Sequence, residues 1–125
     1  MGKMSTRKNA TYSMIVAQLL NQKREDLNIG QSSFLERARL SQSSWSRINR
    51  GLSYFTLEEL RVACGAVSTD MNNLLRDANK AAELLPNEEN INILDSVKSS
   101  DNKFVLPTII AGAVLGFLIF RLLKK

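Results

Sequence analysis

The feature that most constrains this chain is an uncharged, mostly apolar run over residues 104–120. Twenty helical residues rise about 30 Å, which matches the thickness of the hydrocarbon core of a bilayer. Lys103 precedes the run and Arg121 follows it, so charged side chains would reach both headgroup regions. A core helix of this length normally has a polar face, and this run has none. The sequence therefore predicts a transmembrane helix over residues 104–123; the alternative is a buried or oligomer-forming apolar helix.

Two glycines four residues apart, Gly112 and Gly116, lie within this run. Small residues at this spacing let two helices approach closely in lipid, so we expect them to form a membrane helix packing site that supports a homodimer. No secretory signal opens the chain. The N-terminal domain is therefore expected in the cytoplasm, with a single pass through the inner (cytoplasmic) membrane, although positive-inside counting alone favours the Arg121 end there.

Charge is distributed unevenly along the 125 residues. Residues 1–80 hold 12 Lys and Arg against 7 Asp and Glu, residues 81–106 hold 2 against 5, and the remainder holds 3 against none. A basic first part suits a polyanionic partner. Four regions follow from charge and hydropathy together: a basic N-terminal arm at 1–12, a domain at 13–85, a polar acidic linker at 86–103 and the membrane helix at 104–123.

The residue types that most enzymes and metal sites need are scarce. The chain has no histidine, and Cys64 is its single cysteine. A His/Cys zinc cluster, a disulfide within the chain and a Ser-His or Cys-His nucleophile pair are therefore excluded. We expect no catalytic activity, no metal and no cofactor, and we expect Cys64 to be an inert core thiol rather than a redox sensor.

Residues 13–85 have the periodicity of an all-α domain with five helices. Apolar residues recur at helical spacing from about Ser13 to Asp26, and two short helices follow at 31–38 and 42–50. A capping box that begins at Thr56 opens a fourth helix. The fifth continues from about residue 71 until Pro86 stops it. No alternating strand pattern is visible, so the sequence predicts an all-α fold.

The second and third helices, joined by a tight turn, indicate a helix-turn-helix. In such a unit the second helix enters the major groove of DNA, and the first crosses the sugar-phosphate backbone. Glutamine can bind an adenine edge and arginine a guanine edge, and serine can bind a base or a phosphate. The predicted base-reading residues are Gln42, Ser43, Ser46 and Arg47. The predicted DNA-backbone residues are Gln31, Ser44, Arg50, Lys8 and Arg7.

These residues resemble the phage repressor/Cro-type (XRE-like) helix-turn-helix domains over roughly residues 14–75. The resemblance lies in Ile29-Gly30-Gln31, in the stretch from Ser41 to Gly51, and in Thr56-Leu57-Glu58-Glu59-Leu60. It implies a five-helix DNA-binding domain in which Gln31 binds a phosphate and supports Gln42. The family also implies a prokaryotic or phage origin and, commonly, dimers on two half-sites.

The chain departs from the family pattern at three positions. Arg39 stands in the turn where the family usually has glycine or a small residue, and Asn49 replaces a frequent glutamate. Leu35 takes the place of the usual alanine of the second helix, with the small residue displaced to Ala38. These departures bear on the geometry of the turn, while the loss of a glutamate removes a negative charge that would face phosphates.

The sequence thus predicts a membrane-anchored transcriptional regulator, with double-stranded DNA and the lipid bilayer as partners. Two alternatives remain open. One is a membrane-tethered adaptor whose helix-turn-helix module docks a protein partner. The other is a small membrane factor in which the apolar tail itself is active. The polar, cationic face of the third helix favours DNA.

Overall fold

A short strand opens the described part of the chain and leads directly into the first helix. The structure, a computed structural model, describes residues 8–94 and 108–124. Its elements follow in the order β1 (Lys8–Thr11), α1 (Tyr12–Asp26), α2 (Gln31–Ala38), α3 (Gln42–Asn49), α4 (Leu57–Ala66), α5 (Met71–Glu88), β2 (Ile91–Leu94) and α6 (Gly112–Leu123).

The two strands form a small parallel sheet, in which Lys8 of β1 aligns with Ile91 of β2. A third segment bonds the other edge of β1. The Asn9 N–H donates to the Thr108 carbonyl over 2.7 Å, and the Ile110 N–H donates to the Asn9 carbonyl over 2.9 Å. The predicted all-α fold is therefore wrong. Each strand has only four residues, and its partners lie far away in the sequence, so no local pattern reveals the pairing.

Helices α1, α3 and α4 begin at residues whose side chains cap them. The Thr11 hydroxyl accepts the Met14 N–H at the start of α1, and Thr56 and Glu59 form the predicted capping box of α4, with bonds of 3.0 and 2.9 Å. Helix α5 passes through Pro86 and ends at Glu88, beyond the stop predicted from the sequence. Because Pro86 lies in the last turn, its missing N–H costs the helix only one backbone hydrogen bond near its end.

One apolar core joins all the helices around α1. It includes side chains from α1, α2, α3 and α5 with almost no exposed surface, and residues of β2 and α6 complete it. The largest fully buried residues include Phe34, Met14, Ile15, Leu20, Ile48, Leu74, Leu85, Leu115 and Ile119. The acidic stretch predicted as a linker contributes to this unit, since residues 86–88 end α5 and β2 pairs with β1.

Helix α6 packs against α1 and α5 through one apolar side. Leu115, Ile119 and Leu122 are buried, at a spacing that aligns them along one face. The helix has 12 residues, about 18 Å in length. Within residues 8–94 and 108–124, no helix has both the length and the hydropathy needed to cross a bilayer. The predicted transmembrane helix over 104–123, and with it the single-pass location in the inner membrane, is wrong.

The apolar run was misleading because it is divided between different environments. Residues 108–110 bond β1, and α6 begins only at Gly112. Arg121, expected in a lipid headgroup region, instead forms an ion pair with Glu89 just beyond α5. The outer side of α6 is also apolar, with Val114, Phe117 and Phe120 exposed, so the sequence lacked the polar face that normally distinguishes a packed helix.

Candidate nucleic-acid interface

Helices α2 and α3 are joined by a three-residue turn. Arg39 adopts the left-handed conformation with φ 60°, and its N–H donates to the Glu36 carbonyl. Leu40 is buried, and its N–H donates to the Leu35 carbonyl over 3.0 Å. Ser41 caps α3 by accepting the Ser44 N–H over 3.0 Å. This turn fixes where α3 begins and which of its sides faces outward.

The inner side of α3 is held by aromatic and aliphatic packing. Trp45 and Ile48 are buried. The Trp45 ring meets Phe34 of α2 edge-on, with 5.2 Å between centroids, and lies 6.4 Å from Phe55 in the segment after α3. Edge-to-face pairs at such distances are favourable. Trp45 therefore anchors α3 in the core, as its spacing with Ile48 predicts, and is not available to stack on bases.

The outer side of α3 is polar. Gln42, Ser43 and Arg47 are exposed, and Ser46 is half-buried. The Arg47 Nη1 lies 3.5 Å from the Ser43 Oγ one turn earlier. The predicted base-reading residues thus share one helix, and three of the four are exposed. Hydrogen-bonding side chains near the N-terminus of such a helix suit the edges of base pairs.

The predicted DNA-backbone residues are more dispersed. Gln31 is exposed at the first position of α2, Ser44 is half-buried in the first turn of α3, and Arg50 is exposed at its C-terminal cap. Lys8 is exposed on β1, and Arg7 lies outside the described residues. In the part of the chain that the structure describes, no hydrogen bond joins Gln31 to Gln42, and the support of Gln42 by Gln31 that the family resemblance implies stays a prediction.

Charge around this unit is strongly positive. Residues 30–51 carry four arginines, at 37, 39, 47 and 50, against one glutamate at 36, and all five side chains are exposed. Exposed cations of this kind attract the phosphates of nucleic acid regardless of sequence. Charge and hydrogen-bonding capacity therefore coincide on the α2–α3 unit.

A half-buried pair of side-chain amides, not predicted from the sequence, lies at the C-terminal end of α3. The Gln18 Nε2 of α1 donates to the Asn49 Oδ1 over 3.0 Å, and the Asn49 Nδ2 donates to the Trp45 carbonyl over 2.8 Å. Both side chains are half-buried. In the sequence, Asn49 stands out only as a departure from a family pattern, and its partner Gln18 is 31 residues away, so residue spacing gives no sign of the pair.

The described residues offer little for other chemistry. Among residues 8–94 and 108–124, no group of three or more His, Cys, Asp or Glu side chains is placed to hold a metal ion. Cys64 is buried in α4; burial, and secondarily the charge of Asp70, raises the pKa of its thiol. A raised pKa keeps the thiol protonated and weakly reactive, in keeping with a core role.

Comparisons with known proteins add no family. The chain matches no protein-family model, and no curated protein matches it either.

Proposed function

We propose that this chain is a DNA-binding transcriptional regulator of the repressor-like helix-turn-helix type. In this proposal α3 enters the major groove of duplex DNA and the start of α2 faces a phosphate. The observation that carries the proposal is that α3 is amphipathic, with an apolar buried side and a polar exposed side. Trp45 and Ile48 fix one side in the core, while Gln42, Ser43 and Arg47 project from the other.

The roles of individual residues follow from their chemistry. Arg47 offers a bidentate donor pair for guanine O6 and N7, and Gln42 offers a donor and an acceptor for adenine. Ser43 and Ser46 supply shorter hydroxyl contacts near the same base pairs. Gln31, Ser44 and Arg50 flank this set and would bind the backbone, where Lys8 adds attraction that does not depend on sequence.

The outer side of α3 combines neutral hydrogen-bonding side chains with a guanidinium group. The amide, hydroxyl and guanidinium groups there match base edges, and the surrounding arginines match phosphates. Together they favour a polyanion with ordered hydrogen-bonding groups, which describes duplex DNA.

Selection from a random-sequence pool of 20-base-pair duplexes tests the proposal with the full chain. We expect one sequence class to be enriched. Arg47→Ala should then weaken binding to that class by about 1–3 kcal/mol and relax the preference at one position, because a bidentate base contact is lost. The matched control is Arg61→Ala, which removes an equal charge from an exposed position on α4 and should have little effect. Binding would be measured by fluorescence anisotropy at fixed salt.

Two outcomes would contradict the assignment. If no sequence is enriched at low salt, DNA reading by α3 is wrong. If Arg47→Ala and Arg61→Ala weaken all duplexes equally, Arg47 contributes only charge. Lys8→Ala provides a further comparison, since it should weaken selected and unselected duplexes by the same factor.

A second candidate function is the docking of a protein partner by the same module. Leu52, Tyr54 and Leu57, which follow α3, have exposed side chains. Exposed large apolar residues close together in the chain are typical of protein interaction surfaces. Failure of the duplex selection would favour this candidate over the first.

A further inference from the structure

The two glycines of α6 lie against a single side chain of α1. A Cβ placed on Gly112 would lie 3.1 Å from the Gln18 Nε2, and one placed on Gly116 would lie 2.6 Å from the Gln18 Oε1. Neither distance leaves room for a methyl group beside an undisturbed carboxamide. The spacing that predicted helix packing in lipid therefore accommodates Gln18 of the same chain.

The Gln18 carboxamide is in turn hydrogen-bonded to α3. Its Nε2 donates to Asn49, which donates to the Trp45 carbonyl one turn earlier. A continuous path of contacts thus leads from the inner side of α6 to α3: close packing joins the α6 glycines to Gln18 of α1, and hydrogen bonds join Gln18 to Asn49 and Asn49 to Trp45. Arg47 lies in the C-terminal half of α3, and Arg50 is the cap residue that follows it.

A second contact between the tail and α3 lies nearby. Gly51, which follows α3, has φ 78°, and a Cβ there would lie 3.4 Å from Ile109, just before α6. The Met14 Sδ borders the same point at 3.2 Å. The C-terminal end of α3 therefore contacts both the segment that precedes α6 and Gln18 of α1.

We propose that Gln18 and Asn49 are positioning residues that couple the seating of α6 to the orientation of α3. Helix α3 has eight residues, so a small tilt at its C-terminal end moves Arg47 relative to a bound duplex. Binding groups must be held within a fraction of an ångström to keep a specific geometry. The consequence for DNA rests on the proposed function, whereas the coupling itself is a property of the free protein.

Gly116→Ala is the most direct test, because the added methyl group meets the far end of a flexible side chain. Gln18 can move away without displacement of backbone, so the fold should persist while the bond to Asn49 breaks. Gly65→Ala in α4 is the matched control: it makes the same change in a helix, and nothing lies within 4 Å of the added Cβ.

Nuclear magnetic resonance of the 15N-labelled full chain gives a readout that does not need DNA. Gly116→Ala should shift the side-chain amide resonances of Gln18 and Asn49 and the backbone amides from Trp45 to Gly51, whereas Gly65→Ala should leave them in place. In a Gln18→Ala background, Gly116→Ala should cause no further shift of the α3 resonances. Unmoved α3 resonances in Gly116→Ala, or an equal shift in both backgrounds, would overturn the coupling.

Binding to the duplex class selected above completes the test. Gly116→Ala and Gln18→Ala should each weaken specific binding roughly fivefold, the equivalent of one neutral hydrogen bond, and the double variant should be no weaker than either single one. Unchanged binding in both single variants would overturn the positioning role even if the resonances move. If the unsubstituted chain binds no duplex, the proposed function fails, and the resonance experiment alone decides the coupling.

Discussion

Helices α3 and α6 both pack on α1, yet their outer sides differ completely. Helix α3 buries Trp45 and Ile48 and exposes polar side chains, whereas α6 buries its own apolar face and exposes Phe117 and Phe120. The comparison teaches that a sequence pattern reveals the inner side of a helix only when the outer side is polar. Where both sides are apolar, the neighbouring elements decide which side is buried.

The largest expected effect tests whether α6 is seated as described. Leu115→Ala removes a side chain with no exposed surface and should lower the free energy of unfolding by about 3 kcal/mol. Phe117→Ala, on the outer side of the same helix, should change it by no more than about 0.5 kcal/mol. Urea denaturation of the full chain measures both. Equal effects would mean that α6 does not distinguish an inner side from an outer one.

A smaller effect is expected from the caps, which also differ between the two helices. Ser41 caps α3 with its side chain, while Ala111 at the start of α6 has no side chain that can do so. Ser41→Ala should therefore cost about 1 kcal/mol of unfolding free energy, and Ala111→Ser should gain roughly 0.5 kcal/mol. The same urea experiment checks both signs. A loss of stability in Ala111→Ser would contradict the assigned start of α6.

The smallest effect concerns the turn into α3. Arg39 has φ 60°, a conformation that costs a residue with a side chain more than it costs glycine. Arg39→Gly should raise the free energy of unfolding by about 0.5 kcal/mol, after the greater flexibility of glycine in the unfolded chain is subtracted. Arg37→Gly, with the same charge change inside α2, should instead lower it by about 1 kcal/mol. Thermal denaturation of both variants measures the two changes. A loss of stability in both Arg39→Gly and Arg37→Gly would refute the left-handed conformation of Arg39.

Much of the helical part of the molecule could be predicted from local patterns. The α2–α3 pair, the Ser41 cap and the Thr56 capping box each follow from residues within one or two turns of one another. The outward placement of Gln42 and Arg47 followed because buried residues recur at helical spacing beside them. Local signals of this kind survive without any knowledge of the rest of the chain.

The remainder could not be predicted, because it depends on contacts between distant segments. The pairing of β1 with β2 and with Thr108 joins residues from opposite parts of the sequence. The hydrogen bond between Gln18 and Asn49 also joins distant parts of the sequence. Without knowledge of that bond, neither side chain can be distinguished from an ordinary polar residue. The wrong prediction of a transmembrane helix over residues 104–123 has a related cause. Hydropathy shows that a helix is apolar, but it does not show which side of the helix packs against neighbouring elements.

The placement of β1 between two late segments has a consequence for synthesis of the chain. Its Asn9 amide and backbone bond Thr108, 99 residues further along. On the ribosome, α1 to α5 emerge before β2 and residues 108–110, so β1 then lacks both neighbours and the α6-facing side of α1 remains uncovered. The early helices can form by local contacts, but the end of α3 meets Ile109, and α1 meets α6, only when residues 108–124 arrive.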